Sequence, residues 1–372
     1  IGVPREIKAD EYRVGLTPAG VRELVSRGHQ VVVEAGAGVG SAIADAQYVA
    51  QGAQIAPDAD ALFARAQVIV KVKEPQPVEI ARLRPEHTLF CYLHLAPDPE
   101  LTEGLLRSGA TSIAYETVTD RNGRLPLLAP MSEVAGRIAA QAGASALEKP
   151  AGGRGILLGG VPGVAPARVM VIGGGVVGRN AAEVAAGMGA QVSILDRDID
   201  RLRELDSHFS GRVLTIHSSA LAVEQLLPDT DLVIGAVLVL GARAPRIVTR
   251  EHLKLMKPGA VLVDVAIDQG GCFETSHPTT HSNPTYVVDG IVHYCVANMP
   301  GAVPVTSTAA LTNATLPYLA TLADHGVRGA LAADPGFLAG LSTGGGALTS
   351  EPVARDQGRA WVAPGEALAR LA

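Results

Sequence analysis

One stretch, Arg168 to Asp196, constrains the fold of this 372-residue chain more than any other. It reads R-V-M-V-I-G-G-G-V-V-G-R-N-A-A-E-V-A-A-G-M-G-A-Q-V-S-I-L-D. Val169 to Ile172 is a short apolar, β-rich run that enters a glycine turn. A helix-like stretch follows from Val176 to Met188, and a second β-rich run, Gln191 to Leu195, ends on an acid. Strand, tight turn, helix and strand within about 30 residues describe a βαβ unit.

Gly173, Gly175 and Gly178 fit G-x-G-x-x-G between that strand and helix, the context in which the motif binds a dinucleotide. The first glycine allows the tight turn, the second lets pyrophosphate approach the backbone, and the third lets helix and strand pack closely. The phosphates would sit on the unpaired N–H groups at the positive end of the helix dipole. Asp196 stands at the end of the second strand, where a carboxylate accepts hydrogen bonds from the adenosine ribose and repels a 2′-phosphate. That favours NAD. Arg197 and Arg201 keep NADP open, because a nearby arginine accommodates the extra phosphate.

Length predicts two domains, at roughly 150 residues each. With 47% apolar and only 18% charged residues, large cores are easily filled. Aromatics are scarce at 3%, whereas glycine (42) and proline (24) are plentiful, which suits Ala/Val/Leu-rich helices on parallel strands joined by short loops. The net charge of −6 comes without a basic block, so nothing points to nucleic acid. Cys91, Cys272 and Cys295 form no C-x-x-C, and neither a disulfide framework nor a metal site is suggested. Cys91 and Cys295 lie in apolar runs and read as small buried side chains. The first residues, I-G-V-P-R-E-I-K, read as a strand entering a loop rather than a signal peptide. Apolar stretches break well short of the ~20 residues that a membrane span needs, so the expectation is a soluble, cytoplasmic protein.

Along the chain, strand-like runs at Val31–Val33, Val68–Val72, Leu89–Leu93 and Thr111–Tyr115 alternate with helix candidates. Thr17-Pro18 starts one such helix, which runs through Arg27 and stops at Gly28; another spans Pro99–Arg107. The alternation predicts parallel sheets covered on both faces, hence an α/β protein. Pro130 to Leu147 is a long helical stripe read as the crossing into the nucleotide domain, before the Gly/Pro-rich segment 150–166. Further strands are expected near Val213–Ile216, Leu232–Val239, Ala260–Ala266 and Tyr286–Ala297. Thr306–His325, ended by Gly326, is the helix expected to cross back, with a loop-rich tail rejoining the first domain. The predicted architecture is two Rossmann-like, doubly wound parallel-sheet domains with an active-site cleft between them. One comprises 1–128 plus 306–372 and the other 129–305.

Four polar groups stand within or just beyond apolar runs: Arg13 in E-Y-R-V-G-L-T-P, Lys73 in V-I-V-K-V-K-E-P, His94 in F-C-Y-L-H-L-A-P, and Asp268 in V-D-V-A-I-D-Q-G-G. In open α/β sheets ligands bind beyond the carboxyl ends of the strands. Parallel strands would bring Arg13, Lys73 and His94 to one edge, with Asp268 opposite across the cleft. Each also has an ordinary reading. Arg13 can be a solvated loop residue, Lys71 shares the claim of Lys73, His94 can be structural, and Asp268 can stabilise a turn beside Gly270-Gly271. These residues alone specify a dehydrogenase without a substrate.

In order along nearly the whole chain, P-R-E-I-K, E-Y-R-V-G-L-T-P, K-V-K-E-P, H-L-A-P, M-S-E-V-A-G-R, the glycine turn, D-Q-G-G and N-M-P-G-A-V-P-V-T-S-T occur together. With these blocks the sequence resembles the alanine dehydrogenase family, which includes the NAD-binding subunit of proton-translocating transhydrogenase. The resemblance implies reversible conversion of L-alanine, NAD⁺ and water to pyruvate, ammonium and NADH. It implies that Arg13 and Lys73 hold the substrate, that His94 is the acid/base, and that Asp268 orients water or ammonia. Lys73 is the alternative base. Asp196, Arg201, Ser132, Ser218, Val237, Leu238, Asn298 and Met299 would line the cofactor site. It further implies a homohexamer. The alternatives are the transhydrogenase subunit, a saccharopine- or lysine-type dehydrogenase with a longer pocket, and a nucleotide sensor without turnover.

Overall fold

The computed structural model describes residues 1–237 and 244–371. The strands are β1 (Gly2–Val3), β2 (Val32–Glu34), β3 (Gln54–Ala56), β4 (Val68–Val70), β5 (Thr88–Cys91), β6 (Thr111–Ala114), β7 (Arg168–Ile172), β8 (Gln191–Asp196), β9 (Val213–His217), β10 (Leu232–Gly235), β11 (Val261–Asp264), β12 (Thr285–Val288), β13 (Ile291–Tyr294), β14 (Leu341–Gly344) and β15 (Ala347–Leu348). They form an eight-stranded sheet, ordered β15-β14-β6-β5-β4-β1-β2-β3, and a seven-stranded sheet, ordered β12-β13-β11-β10-β7-β8-β9. The chain divides into two compact units: Ile1–Met131 with Val303–Ala372, and Ser132–Ala302. Each carries one sheet, and both are α/β. No helix among the described residues is long and apolar enough to cross a membrane.

The sequence accounts for the elements locally. The Thr17 hydroxyl accepts from the Gly20 N–H and caps the helix Pro18–Ser26 at its proline-bearing start. Asp98 does the same for Pro99–Ser108 through the Leu101 N–H, and Gly109 ends that helix in the left-handed region. In the second unit every residue of L-V-I-G (β10) and V-L-V-D (β11) is buried, as expected of central parallel strands covered on both faces. The long helix Pro304–Ala333 breaks at Gly326, whose φ of 66° and ψ of 174° are not helical.

Three expectations need correction. Tyr286–Ala297 is not one strand. It contains the antiparallel pair β12 and β13, folded at Asp289-Gly290, both of which have positive φ. An Asp-Gly turn of that hand matches the twist of the flanking strands. The tail, expected to be loop-rich, holds strands at S-T-G-G-G-A-L-T. It forms β14 and β15, and β14 lies antiparallel to β6, so each sheet carries an antiparallel edge on an otherwise parallel array. The run from Leu232 is a strand only to Gly235, with a last bond to β7 from the Ala236 N–H to the Ile172 carbonyl, and residues 238 and 239 lie outside the described residues.

The first unit buries a full positive charge. Lys71 is wholly inaccessible, and its Nζ donates to Glu6 Oε2 at 2.9 Å and lies 2.8 Å from Glu79 Oε1. Burial alone would lower its pKa, but the two carboxylates outweigh that and raise it above the ordinary lysine value. The second oxygen of Glu6 accepts from the Val72 N–H at 2.6 Å. The triad thus fastens the loop after β1 to the end of β4. Lys71→Met would leave two buried carboxylates without a counter-charge, and it is expected to destabilise the protein by about 3–5 kcal/mol. Denaturant unfolding measures this, and a change under about 1 kcal/mol would contradict it.

Candidate active site

In the second unit the glycine turn has the shape that a dinucleotide requires. Gly173 has φ +104°, and a Cβ there would stand 2.7 Å from the Ala236 carbonyl oxygen. A Cβ on Gly178 would come within 1.7 Å of the Gly173 oxygen, so only glycine lets the helix Val176–Gly187 start this close to β7. Around Gly175 a Cβ would meet nothing within 4 Å. That residue is the helix N-cap, and no side chain caps the first turn. Unpaired N–H groups facing open space form an anion site, and the residues present fit a pyrophosphate.

Asp196, at the end of β8, stands at the same turn. Its Oδ2 accepts from the Gly174 N–H at 2.6 Å, and its Oδ1 accepts from the Asp198 N–H at 2.9 Å. Arg201 is also close, since a Cβ on Gly174 would lie 3.3 Å from its Cγ; its Nη1 donates to Glu204 at 2.8 Å. The Ser218 N–H donates to the Asp196 carbonyl, which brings the end of β9 beside this acid. Ser132 is half-buried on the helix Ala129–Ala146. Asn298 has φ +62° and its carbonyl accepts from the Gly301 N–H, next to the buried Met299. Val237 is half-buried beyond β10, and Leu238 lies outside the described residues. Asp268 is exposed in a short 3₁₀ turn, Ile267–Gln269, beyond the end of β11.

In the first unit β4 lies between β1 and β5, all parallel, so the segments that leave their carboxyl ends share one edge. Arg13, Lys73 and His94 lie on those three segments. Arg13 is 2% exposed and presents two donors to one carboxylate: Nε to Glu11 Oε1 at 2.6 Å and Nη2 to Glu11 Oε2 at 2.5 Å. Its Nη1 lies 3.1 Å from the Met131 sulfur. A forked pair of this kind fixes the guanidinium plane, which is the requirement for holding a second carboxylate in a set orientation. The backbone on either side is clamped as well. Val14 N–H donates to Thr308 Oγ1, that oxygen is 2.8 Å from Ser41 Oγ, and Ser41 Oγ donates to the Tyr12 carbonyl.

The structure separates the two candidate lysines. Lys71 is spent in the buried triad, whereas Lys73, two residues on, is half-buried at the strand edge. Its neighbour Glu74 meets both Lys8 and His94: Lys8 Nζ pairs with Oε1, and His94 Nδ1 is 3.4 Å from Oε2. Burial pushes the Glu74 carboxyl up, but hydrogen bonds from His94 and Lys8 and the charge of Lys73 prevail and hold it down at about 2. It is therefore ionised at any working pH.

His94 itself has φ +49°, a left-handed conformation that costs a non-glycine residue about 1–3 kcal/mol. Its side chain is 45% exposed and its ring is stacked on Tyr92, with centroids 5.8 Å apart. The Glu116 carboxylate receives the His94 N–H at 2.6 Å and the Leu93 N–H at 3.1 Å. Glu11, Glu74 and Glu116 are not among the residues expected from the sequence. Two of them lie inside quoted motifs, E-Y-R and K-E-P, where the cue was an acid beside a proposed cation.

A dinucleotide turn in one α/β unit and an Arg/Lys/His edge in the other define a nucleotide-dependent oxidoreductase. The family descriptions "Alanine dehydrogenase/PNT, N-terminal domain" and "C-terminal domain" match residues 2–135 and 139–351. The alanine dehydrogenase of Halomonas elongata is 62% identical over 362 residues, which is 97% of this chain and 98% of that protein. A solved L-alanine dehydrogenase aligns with a TM-score of 0.93 at 50% identity, over 96% of this chain and 99% of that one. The transhydrogenase structure from Sinorhizobium meliloti aligns at 0.81 and 27% identity, over 94% and 98%. The chain belongs to the alanine dehydrogenase/PNT family.

If the open space at Gly175 receives pyrophosphate, filling it removes the cofactor and little else. Gly175→Val is expected to weaken NADH binding at least about tenfold, or ~1.4 kcal/mol, with an unchanged unfolding midpoint. NADH fluorescence titration reads the first and thermal unfolding the second; unaltered NADH affinity would contradict the assignment.

Proposed function

We propose that this protein catalyses the reversible oxidative deamination of L-alanine to pyruvate and ammonium, with NAD⁺ reduced to NADH. The observation that carries this is the Arg13, Lys73 and His94 edge, in a chain 62% identical to an alanine dehydrogenase over 97% of its length. Likeness to the transhydrogenase is lower by every measure, with 27% against 50% identity among the solved structures. NAD⁺ supplies the hydride acceptor when bound.

The roles of the residues follow from their chemistry. Arg13, set by Glu11, and Lys73 hold the substrate carboxylate and polarise the carbonyl of pyruvate. Hydride departs from the alanine Cα only when the amine is neutral, so a base must first take its proton. His94 has the side chain suited to that task near neutral pH. The carboxylate of Asp268 stabilises the positive iminium and orients the attacking water or, in reverse, ammonia. Once His94 has passed the amine proton to solvent, it takes a proton from the attacking water and returns it to the amino group of the carbinolamine. The C–N bond then breaks as the hydroxyl becomes the carbonyl of pyruvate, and the hydroxyl proton passes through His94 to the departing ammonia, giving ammonium. In this reading residues 1–128 with 306–372 form the substrate domain and 129–305 the NAD-binding domain. Asp196 binds the ribose, the glycines admit the pyrophosphate, and Arg201, Ser132, Ser218, Val237, Leu238, Asn298 and Met299 line the cofactor. The absence of a membrane-length apolar helix among the described residues is compatible with a cytoplasmic location. A homohexamer is proposed on the family resemblance.

The test is NADH formation by purified protein with NAD⁺ and L-alanine at alkaline pH, beside L-lysine and NADP⁺. Turnover is expected with alanine and NAD⁺; NADH binding without turnover on any amino acid would contradict the reading. His94→Ala is expected to lower kcat by about 10²–10⁴-fold with NADH affinity unchanged. Near-normal turnover by that variant would remove His94 from its role.

A further inference from the structure

His94 is held at two points by two carboxylates, neither of which enters the reaction as described above. Its backbone is in the left-handed region at φ +49°, and the N–H groups of Leu93 and His94 both converge on Glu116. Its ring turns Nδ1 toward Glu74 Oε2, 3.4 Å away. A neutral imidazole carries its proton on one nitrogen and its lone pair on the other, and the hydrogen bond made by one fixes the role of the other. A carboxylate is an acceptor only, so it selects the tautomer with the proton on Nδ1.

We propose that Glu74 and Glu116 are positioning residues for His94: Glu116 holds the strained turn that projects the ring, and Glu74 fixes the tautomer in which Nε2 exchanges protons with the substrate. This rests on the reading of His94 as the acid/base. In deamination, Nε2 receives the amine proton to give an imidazolium. Glu74, ionised and 9% exposed, stabilises that cation without accepting a proton itself. The charged and titratable groups around the pair are Lys8, bonded to the other oxygen of Glu74, Lys73 beside it in sequence, Glu116 at the His94 backbone, and Tyr92 stacked on the ring. Lys8 reaches Glu74 from the loop after β1 and meets Oε1, the oxygen that does not face His94.

Glu74→Gln keeps the size and removes the obligatory acceptor, so either tautomer can form. It is expected to lower kcat about 10–100-fold, with the KM for L-alanine and the Kd for NADH within about twofold. Lys8→Met removes the other partner of Glu74 but leaves its carboxylate facing His94, and its kcat is expected to stay within about twofold. In the double variant Glu74→Gln/His94→Ala, activity is expected to equal that of His94→Ala alone, because Glu74 acts only through the imidazole. Glu116→Gln is expected to lower kcat with the same non-additivity.

Three results overturn the proposal: a Glu74→Gln kcat within twofold of the parent, a loss of equal size in Lys8→Met, or losses that multiply in the double variant. Thermal unfolding of each variant guards against misfolding. Should Glu74→Gln unfold, Glu74→Asp, which keeps the charge but shortens the reach, is read in its place by the same split of kcat against KM. If His94→Ala itself retains full turnover, the underlying reading of the acid/base fails rather than the mount. If His94→Ala is inactive and Glu74→Gln is not, the mount alone fails.

Discussion

The first unit depends on a buried cation. Lys71 has no access to solvent and survives as a charge only because Glu6 and Glu79 flank it at 2.9 and 2.8 Å. Moving both carboxylates away would leave that charge buried and uncompensated, at a cost of about 3–5 kcal/mol. The loop after β1 is therefore anchored to the end of β4. Everything proposed for substrate binding hangs from those two segments and from the neighbouring β5. Arg13 follows Glu6 along the first loop, Lys73 follows Lys71, and His94 is tied back to Glu74.

The same economy governs the candidate site itself: Arg13 and His94 each have an acid as mount. Glu11 forks onto Arg13, Glu74 takes the ring of His94, and Glu116 takes the backbone beneath it. Charge-assisted contacts of this kind are short and directional, so they hold geometry that a loop would otherwise lose. The second unit uses the opposite device. Side chains are removed at Gly173, Gly175 and Gly178, so that backbone N–H groups and the Asp196 carboxylate define the surface.

Much of this was legible in sequence, and the boundary has physical causes. The glycine turn announces itself because its three positions have independent steric reasons to lack a Cβ, and the structure shows two of them as contacts of 2.7 and 1.7 Å. Local rules sufficed for the Thr17 cap and for the buried β10 and β11 runs. The Asp289-Gly290 turn was equally local, yet the apolar residues on both sides made one strand of two. Lys71 and Lys73 could not be separated, because both stand at a strand end where alternation no longer assigns a face; burial by Glu6 and Glu79 decides it. The meeting of Glu74 and Glu116 with His94 was out of reach for a different reason. Their partner is His94, set by the pairing of β4, β5 and β6, and no spacing along the chain encodes that meeting. The tail strands β14 and β15 likewise exist only because β6 offers an edge.

Direct hydride transfer from the substrate Cα is the central step of the proposed reaction, and isotope tracing addresses it without relying on any variant. Purified protein would be given NAD⁺ and L-alanine deuterated at Cα, and the NADH formed would be weighed by mass spectrometry. The account predicts NADH carrying the deuterium, with pyruvate and ammonium formed in equal amounts. Unlabelled NADH, or deuterium found in the solvent, would contradict it.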